Sequence, residues 1–343
     1  MNKIIWVPLE QIDTRYTKLS RIWFTEELKK QNVPYIIIEG KELSKVIGNK
    51  SSFLNTYSTI HYKSSQIMKI AQLFNDGKIK NGDVFMIDDI WMPGIEGIRY
   101  MAGMTGIEVK ICGIYHAGGN ISSDDVATKL NKKWTKPYER ALFEMCDKVF
   151  VGSSFHKYSI EKYHRKKFNN LISTGIWFNS KYILNQVKKV KTWKEKEDIV
   201  LFPHRIHPEK KPELFDKIAK AYKKKYPLAP TQFIKSIESG LSKKELYELM
   251  NSSKLTFSAA LQENFGYAIL EASTFNNFLL LPNRVVYPEF YSKECIYEKE
   301  DIELFVEIIH NTMIYKEKPK KEKIINWADK SCKRIINHLK EMI

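Results

Sequence analysis

The chain has 343 residues, 43% apolar and 28% charged, with a formal net charge of +16. That length suits two domains on a soft prior of roughly 100–200 residues each, and no stretch approaches the ~20 uninterrupted apolar residues of a membrane span. The four cysteines, Cys112, Cys146, Cys295 and Cys332, form no C-x-x-C pair; this argues against a zinc cage or disulfide framework and for reduced core thiols in a cytoplasm.

In chain order, MNKIIWVPLEQ lacks a long apolar region and a small-residue cleavage site, so it reads as a first buried strand rather than a signal peptide. Further short apolar runs follow: YIIIEG, VFMIDDIW, VKICGIYH, KVFVGSS and LISTGIW. They alternate with helix-like segments such as LSRIWFTEELKKQ and SQIMKIAQLFNDG. Strands alternating with helices predict parallel sheets covered on both faces. In KVFVGSSFHKYSIEKYH, Ser153 or Ser154 stands where a helix N-cap belongs. The pattern gives way to a charged segment after Trp177 and restarts near residue 198 with DIVLFPHRI and PELFDKIAKAYKKKYP. TQFIKSI, KKELYELMNS, KLTFSAA, a helix after Gly266 and FLLLPN continue it. The tail, IINWADKSCKRIINHLKEMI, predicts one helix presenting Ile325, Cys332, Ile335 or Ile336, and Leu339 on one face. The expected organisation is a doubly wound α/β domain over residues 1–180, a linker over 181–197, a second over 198–321, and a C-terminal helix over 322–343 that packs back across the junction.

The charge is unevenly placed. Residues 1–197 carry +12 and residues 198–343 carry +4; residues 157–196 hold eleven Lys or Arg against two carboxylates. Such a block suits a polyanion, either nucleic acid or an anionic membrane surface, or it is a lysine-rich solvated face.

Doubly wound sheets bind ligands at the carboxyl ends of their strands. There the second half places Arg205 and Lys211, cations suited to a diphosphate beside a helix start. It also places QENFGYAILEAS, in which the amides of Asn264, Phe265 and Gly266 would face a ligand and Glu263 and Glu271 would accept hydrogen bonds from sugar hydroxyls. In the first half, Asp88 and Asp89 end VFMIDD, either lining a cleft or capping structure. His116 ends VKICGIYH before a Gly-Gly turn, either on the floor of a cleft or as a core histidine. His204 and His207 form an H-x-x-H without further ligands, so no metal site is expected.

The E-x7-E spacing around Phe265-Gly266, with Arg205 and Lys211 upstream, resembles the retaining glycosyltransferases of glycosyltransferase family 4. The resemblance implies the GT-B fold, with two Rossmann-like doubly wound domains facing across a cleft. It implies a nucleotide-sugar donor against the second domain, a UDP-sugar favoured over a GDP-sugar, and the acceptor against the basic first domain. Glu263 would contact the donor sugar, Glu271 the nucleotide ribose, and Arg205 and Lys211 the diphosphate leaving group, with no metal required. His116 would orient the reacting sugar in a front-face displacement.

FLLLPNRVVYPEFY is similar to a segment of the tRNA-queuosine mannosyltransferase group, and PLEQIDTRYTK looks like the start of phage-encoded glycosyltransferases that decorate modified DNA bases. The usual glycine-rich first loop is absent; IDTRYTK replaces it, making Thr14 and Arg15 acceptor-side candidates with Asp88 and Asp89. His204 replaces the usual glycine before the arginine. The expected acceptor is a hydroxymethylated pyrimidine of phage DNA in a bacterial cytoplasm; a tRNA base, a lipid-linked or polysaccharide acceptor at a membrane surface, and a non-catalytic binding module are the alternatives.

Overall fold

A computed structural model of the chain describes residues 2–11, 16–43, 56–120, 125–130, 133–314 and 323–343. The chain divides into two compact units, Met1–Phe178 with Lys330–Ile343, and Asn179–Asp329.

The first unit begins with β1 (Ile4–Val7), α1 (Tyr16–Lys30), β2 (Tyr35–Ile37), α2 (Thr56–Asn75), β3 (Val84–Ile87) and α3 (Ile95–Thr105). It continues with β4 (Lys110–Ile114), α4 (Asp125–Lys129), α5 (Thr135–Met145), β5 (Lys148–Val151), α6 (Ser154–His164) and β6 (Leu171–Ser173). Its strands pair in parallel in the order β2-β1-β3-β4-β5-β6. β1 and β3 are buried at every position, so their side chains read as continuous apolar runs rather than alternating ones. Ser153 is the N-cap of α6: its hydroxyl accepts the amide of His156 at 3.0 Å, satisfying one of the donors left open at a helix start.

The second unit holds α7 (Ser180–Leu184), β7 (Glu197–Phe202), α8 (Pro212–Lys225), β8 (Gln232–Lys235), α9 (Lys243–Ser252), β9 (Ser253–Phe257) and α10 (Tyr267–Thr274). It ends with β10 (Phe278–Pro282), α11 (Tyr287–Phe290), β11 (Ile296–Tyr297), α12 (Ile302–Ile314) and α13 (Ile324–Ala328). The order here is β11-β10-β9-β7-β8, again parallel throughout. Counted from each unit's own first strand, both sheets follow the same path: the second strand lies outside the first, and the third returns to its other side. The topological switch point, where ligands of such sheets bind, therefore falls between β1 and β3 in the first unit and between β7 and β9 in the second.

The tail departs from the single expected helix. It breaks at Asp329-Lys330 into α13 and α14 (Ser331–Lys340). The break has a local cause, since both carboxylate oxygens of Asp329 are held by Ser180, one by its amide at 2.7 Å and one by its hydroxyl at 2.6 Å. α14 belongs to the first unit, where Arg334 donates from two nitrogens to the carbonyl of Thr174 at 2.9 and 2.7 Å. The apolar face expected from spacing is buried at Ile325, Cys332, Ile335, Ile336 and Leu339.

The basic block of residues 157–196 is shared between the two units, and part of it is structural. Lys196 is buried, and its ammonium donates to the carbonyls of Asn251 and Ser253 and to the Asn277 side chain at 2.8–3.0 Å. Lys166, Lys189 and Lys191 are paired with Glu144, Glu195 and Glu197.

Candidate functional site

At the β7/β9 switch point, the loop leaving β7 and the loop leaving β9 are tied together. The amide of Leu261 donates to the carbonyl of Glu209 at 2.7 Å, and the Lys210 ammonium donates to the carbonyl of Gln262. Lys210 Nζ also lies 3.2 Å from the Glu263 carboxylate and 3.6 Å from Glu209. Arg205 donates to Glu209 at 2.6 Å, and Glu209 is buried. Arg205, Glu209, Lys210 and Glu263 thus form one alternating chain of charge. Two cations and two carboxylates gathered in so little space offset one another's desolvation through close pairing.

Glu263 folds back so that Oε1 accepts the amide of Gly266 at 3.2 Å. Gly266 has φ +79°, a left-handed conformation that side-chain-bearing residues adopt at a cost, and it opens α10. The Gly266 amide is therefore engaged by Glu263, where the sequence expectation had it facing a ligand. The Phe265 ring is buried against Tyr267, Phe290 and Trp327 and anchors the loop from below. Asn264 is buried beside it.

Lys211 stands apart from Glu263. It has φ +55° at the start of α8, and its ammonium pairs with Glu300, which also binds Arg284. The lysine that meets Glu263 is its neighbour Lys210, which the sequence reading passed over. In EKKPELF both lysines have the same chemistry, and only the left-handed turn before Pro212 decides which one points where.

Glu271 lies on α10 and is 2% exposed. Its two oxygens are held by the Lys243 ammonium at 2.7 Å, and Oε1 also accepts the Tyr247 hydroxyl at 3.1 Å. Beneath the loop runs a second polar chain. His204 Nε2 lies 2.8 Å from the Ser258 hydroxyl, which lies 2.9 Å from that of Tyr287. Burial, reinforced by Lys210 and Arg205, holds the His204 imidazole well below its ordinary pKa, so it is neutral at pH 7. The Tyr287 ring lies 3.6 Å from where a Cβ on Gly266 would stand. The segment NRVVYPEF thus supplies both Arg284, through Glu300, and a support for the glycine. Val285, between them, has φ +52°, an uncommon conformation for a β-branched residue that stores strain at this site.

In the first unit, His116 and the two aspartates are neighbours at the ends of β4 and β3. His116 Nε2 donates to the carbonyl of Asp88 at 2.6 Å. The Asp88 carboxyl is turned inward to accept Trp6 Nε1 at 2.7 Å, and burial raises its pKa to about 7. Asp89 is only partly buried, and Lys63 at 2.6 Å and the nearby His116 hold it below its usual value, so it stays ionised. Burial lowers the pKa of His116 against the opposing pull of Asp89. Thr14 and Arg15 lie outside the described residues.

A further residue shapes this end of β4. Glu139 is fully buried on α5, accepting the Tyr115 hydroxyl at 2.6 Å and the Gly119 amide at 2.8 Å. A Cβ on Gly118 would meet the Tyr115 hydroxyl at 1.7 Å and Glu139 Oε1 at 1.9 Å, so the Gly-Gly turn after His116 exists to admit this carboxylate. Among the described residues, no group of three or more His, Cys, Asp or Glu is placed to hold a metal ion, and no helix is long and apolar enough to cross a membrane.

No protein-family model matches the chain, and no curated protein matches it. Solved structures do. The chain is similar to the catalytic domain of starch synthase IV from Arabidopsis thaliana bound to ADP and acarbose, at 9% identity and TM-score 0.65, over 99% of both chains. It is similar to a sucrose-phosphate synthase from Thermosynechococcus elongatus at 13% identity and TM-score 0.59, over 100% of this chain and 95% of that one. It also matches TarM of S. aureus, in a complex containing UDP, at 15% identity and TM-score 0.51; there 82% of this chain covers 57% of the TarM chain, so this protein spans a little over half of it. The likeness shows the fold: two Rossmann-like α/β units of the GT-B class.

Proposed function

We propose that this protein is a nucleotide-sugar glycosyltransferase whose donor binds to the second unit. The observation that carries the reading is the cluster at the β7/β9 switch point, where Arg205 pairs with Glu209, and Lys210 joins Glu209 to Glu263 before α10. In a reaction of this class the anomeric carbon loses its bond to the diphosphate oxygen and gains one to an acceptor hydroxyl oxygen. The hydroxyl proton leaves with the diphosphate. The chain's own contribution is fixed positive charge where negative charge develops, together with a carboxylate that fixes the sugar's hydroxyls. Arg205 and Lys210 face the diphosphate, and Lys211, paired with Glu300, contributes less. Glu263 takes the sugar, and Glu271 takes the ribose once Lys243 yields one of its oxygens. The ADP and UDP bound in two of the similar structures support a nucleoside-diphosphate donor, and we favour a UDP-sugar over a GDP-sugar. Retention of configuration and independence from a metal are part of the same reading, with His116 orienting the sugar.

The acceptor we favour is a hydroxymethylated pyrimidine in phage DNA, modified in the cytoplasm of a bacterial host. The concentrated positive charge supports it: a base must leave the duplex to reach a catalytic cleft, and basic residues nearby would hold the flanking phosphates. The test is nucleoside mass spectrometry after incubation of the protein with hydroxymethylated DNA and a panel of nucleotide sugars, with and without EDTA. A gain of one sugar on the modified nucleoside in both conditions is the expected result. Donor hydrolysis without transfer to DNA would move the acceptor to tRNA or lipid. The absence of both transfer and hydrolysis would overturn the enzyme reading.

A further inference from the structure

The first unit carries an aromatic run that leads from solvent to the His116 neighbourhood. Trp134, just before α5, is 51% exposed. Its ring lies 6.0 Å from that of Tyr138, which lies 5.3 Å from that of Trp91. Trp91 is joined to the inner cluster through its backbone: its amide donates to Asp89 at 3.2 Å, and its carbonyl accepts the Lys63 ammonium at 2.7 Å. The buried indole Nε1 of Trp91 has no hydrogen-bond partner, an unmet donor at the inner end of the run.

The charge along the run is polarised. Lys133 is exposed beside Trp134, and Lys136 sits over the Tyr163 ring at 4.7 Å. At the inner end, the negative charges of Glu96 and of Asp89, the latter paired with Lys63 at 2.6 Å, both act on Tyr138. Phosphates are therefore favoured at the outer end, where the exposed Trp134 ring can stack on an uncharged aromatic base. A neutral glycan would stack on such rings without needing the lysines. A membrane surface would favour the lysines without needing a line of rings that turns inward.

We infer that Trp134, backed by Tyr138 and Trp91, forms a stacking platform for a nucleobase drawn out of a polynucleotide, with Lys133 and Lys136 on the flanking phosphates. Base–aromatic stacking tolerates any sequence, because every base has a π-face, and each stacked base contributes enough for its loss to be measurable. This inference rests on the proposed nucleic-acid acceptor, and its test is independent of turnover.

The experiment is fluorescence anisotropy of the whole protein with a labelled single-stranded oligonucleotide, without donor, run beside calorimetric titration with UDP. Trp134→Ala is expected to weaken oligonucleotide binding by about tenfold or more, Trp134→Phe by about threefold at most, and neither to change UDP affinity. Trp134 is exposed, so neither variant threatens folding. Unchanged oligonucleotide affinity in Trp134→Ala overturns the platform. So does a wild-type protein that binds anionic vesicles or a neutral glycan but no oligonucleotide. UDP binding without oligonucleotide binding sinks the platform and leaves the donor reading standing. Trp134-dependent oligonucleotide binding without UDP binding does the reverse.

Discussion

Lys210 and Lys211 are adjacent, carry the same charge, and have different surroundings. Lys210 is buried between Glu209 and Glu263, whereas Lys211 is turned to Glu300 and Arg284. If fixed charge at the diphosphate is what the cluster provides, the two should be unequal. Lys210→Met, which keeps the stem's packing, is expected to lower kcat by on the order of 10²-fold or more, the scale of removing one stabilising donor. Lys211→Met should cost about tenfold or less. Steady-state kinetics with a saturating donor reads the split, and a melting curve for each variant separates lost chemistry from lost fold. Equal losses would return Lys211 to the place the sequence reading assigned it. That reading reached Glu263 and Gly266 through the E-x7-E spacing, because a glycine and two carboxylates at fixed offsets are visible in one dimension. It missed Lys210 and Glu139 for opposite reasons. Lys210 has a twin beside it, and Glu139 looks like any polar residue of an amphipathic helix until Tyr115 and Gly119 fold onto it.

At the scale of elements, the backbone conformation of glycines separates two kinds of position. Gly266 opens α10 at φ +79°, and an added Cβ would find only ordinary contacts at 3.5 Å and beyond. Gly103 lies within α3, and a Cβ there would meet nothing within 4 Å. The same substitution should therefore act in opposite directions. Gly266→Ala is expected to destabilise by about 1 kcal/mol through left-handed strain alone. Gly103→Ala should stabilise by about 0.5 kcal/mol, because alanine loses less backbone entropy in a helix. Denaturant midpoints of the two variants check the signs, and a stabilised Gly266→Ala would refute the strain argument. The elements themselves were largely legible, since short apolar strands and amphipathic helices alternate with little ambiguity. The break at Asp329-Lys330 was not: helical spacing of apolar residues continues across it, and only the capture of Asp329 by Ser180 interrupts the helix.

Across the whole molecule, the two units repeat one strand order but differ in what they gather at the switch point. The second unit gathers paired charge around Gly266; the first gathers Asp88, Asp89 and His116, with an aromatic run leading outward. The net charge of +16 was legible from composition, but its division was not. Lys196 is a buried fastener, and several other lysines of the block are neutralised by glutamates. Part of what remains for a polyanion is the surface charge of the first unit around Trp134 and α6, including Lys133, Lys136, Lys157 and Lys162. A strand held there by three or four phosphate contacts releases counterions in proportion, with a slope of roughly −0.7 per contact on logarithmic axes. Raising salt from 50 to 200 mM should therefore weaken oligonucleotide binding on the order of 10- to 100-fold. UDP, held by a compact and largely buried cluster, should lose less than about fivefold over the same range. Parallel titrations of both ligands measure the two slopes. A shallow oligonucleotide slope would mean that few lysines touch phosphate, and the basic surface would then be a solvated face rather than the acceptor's footing.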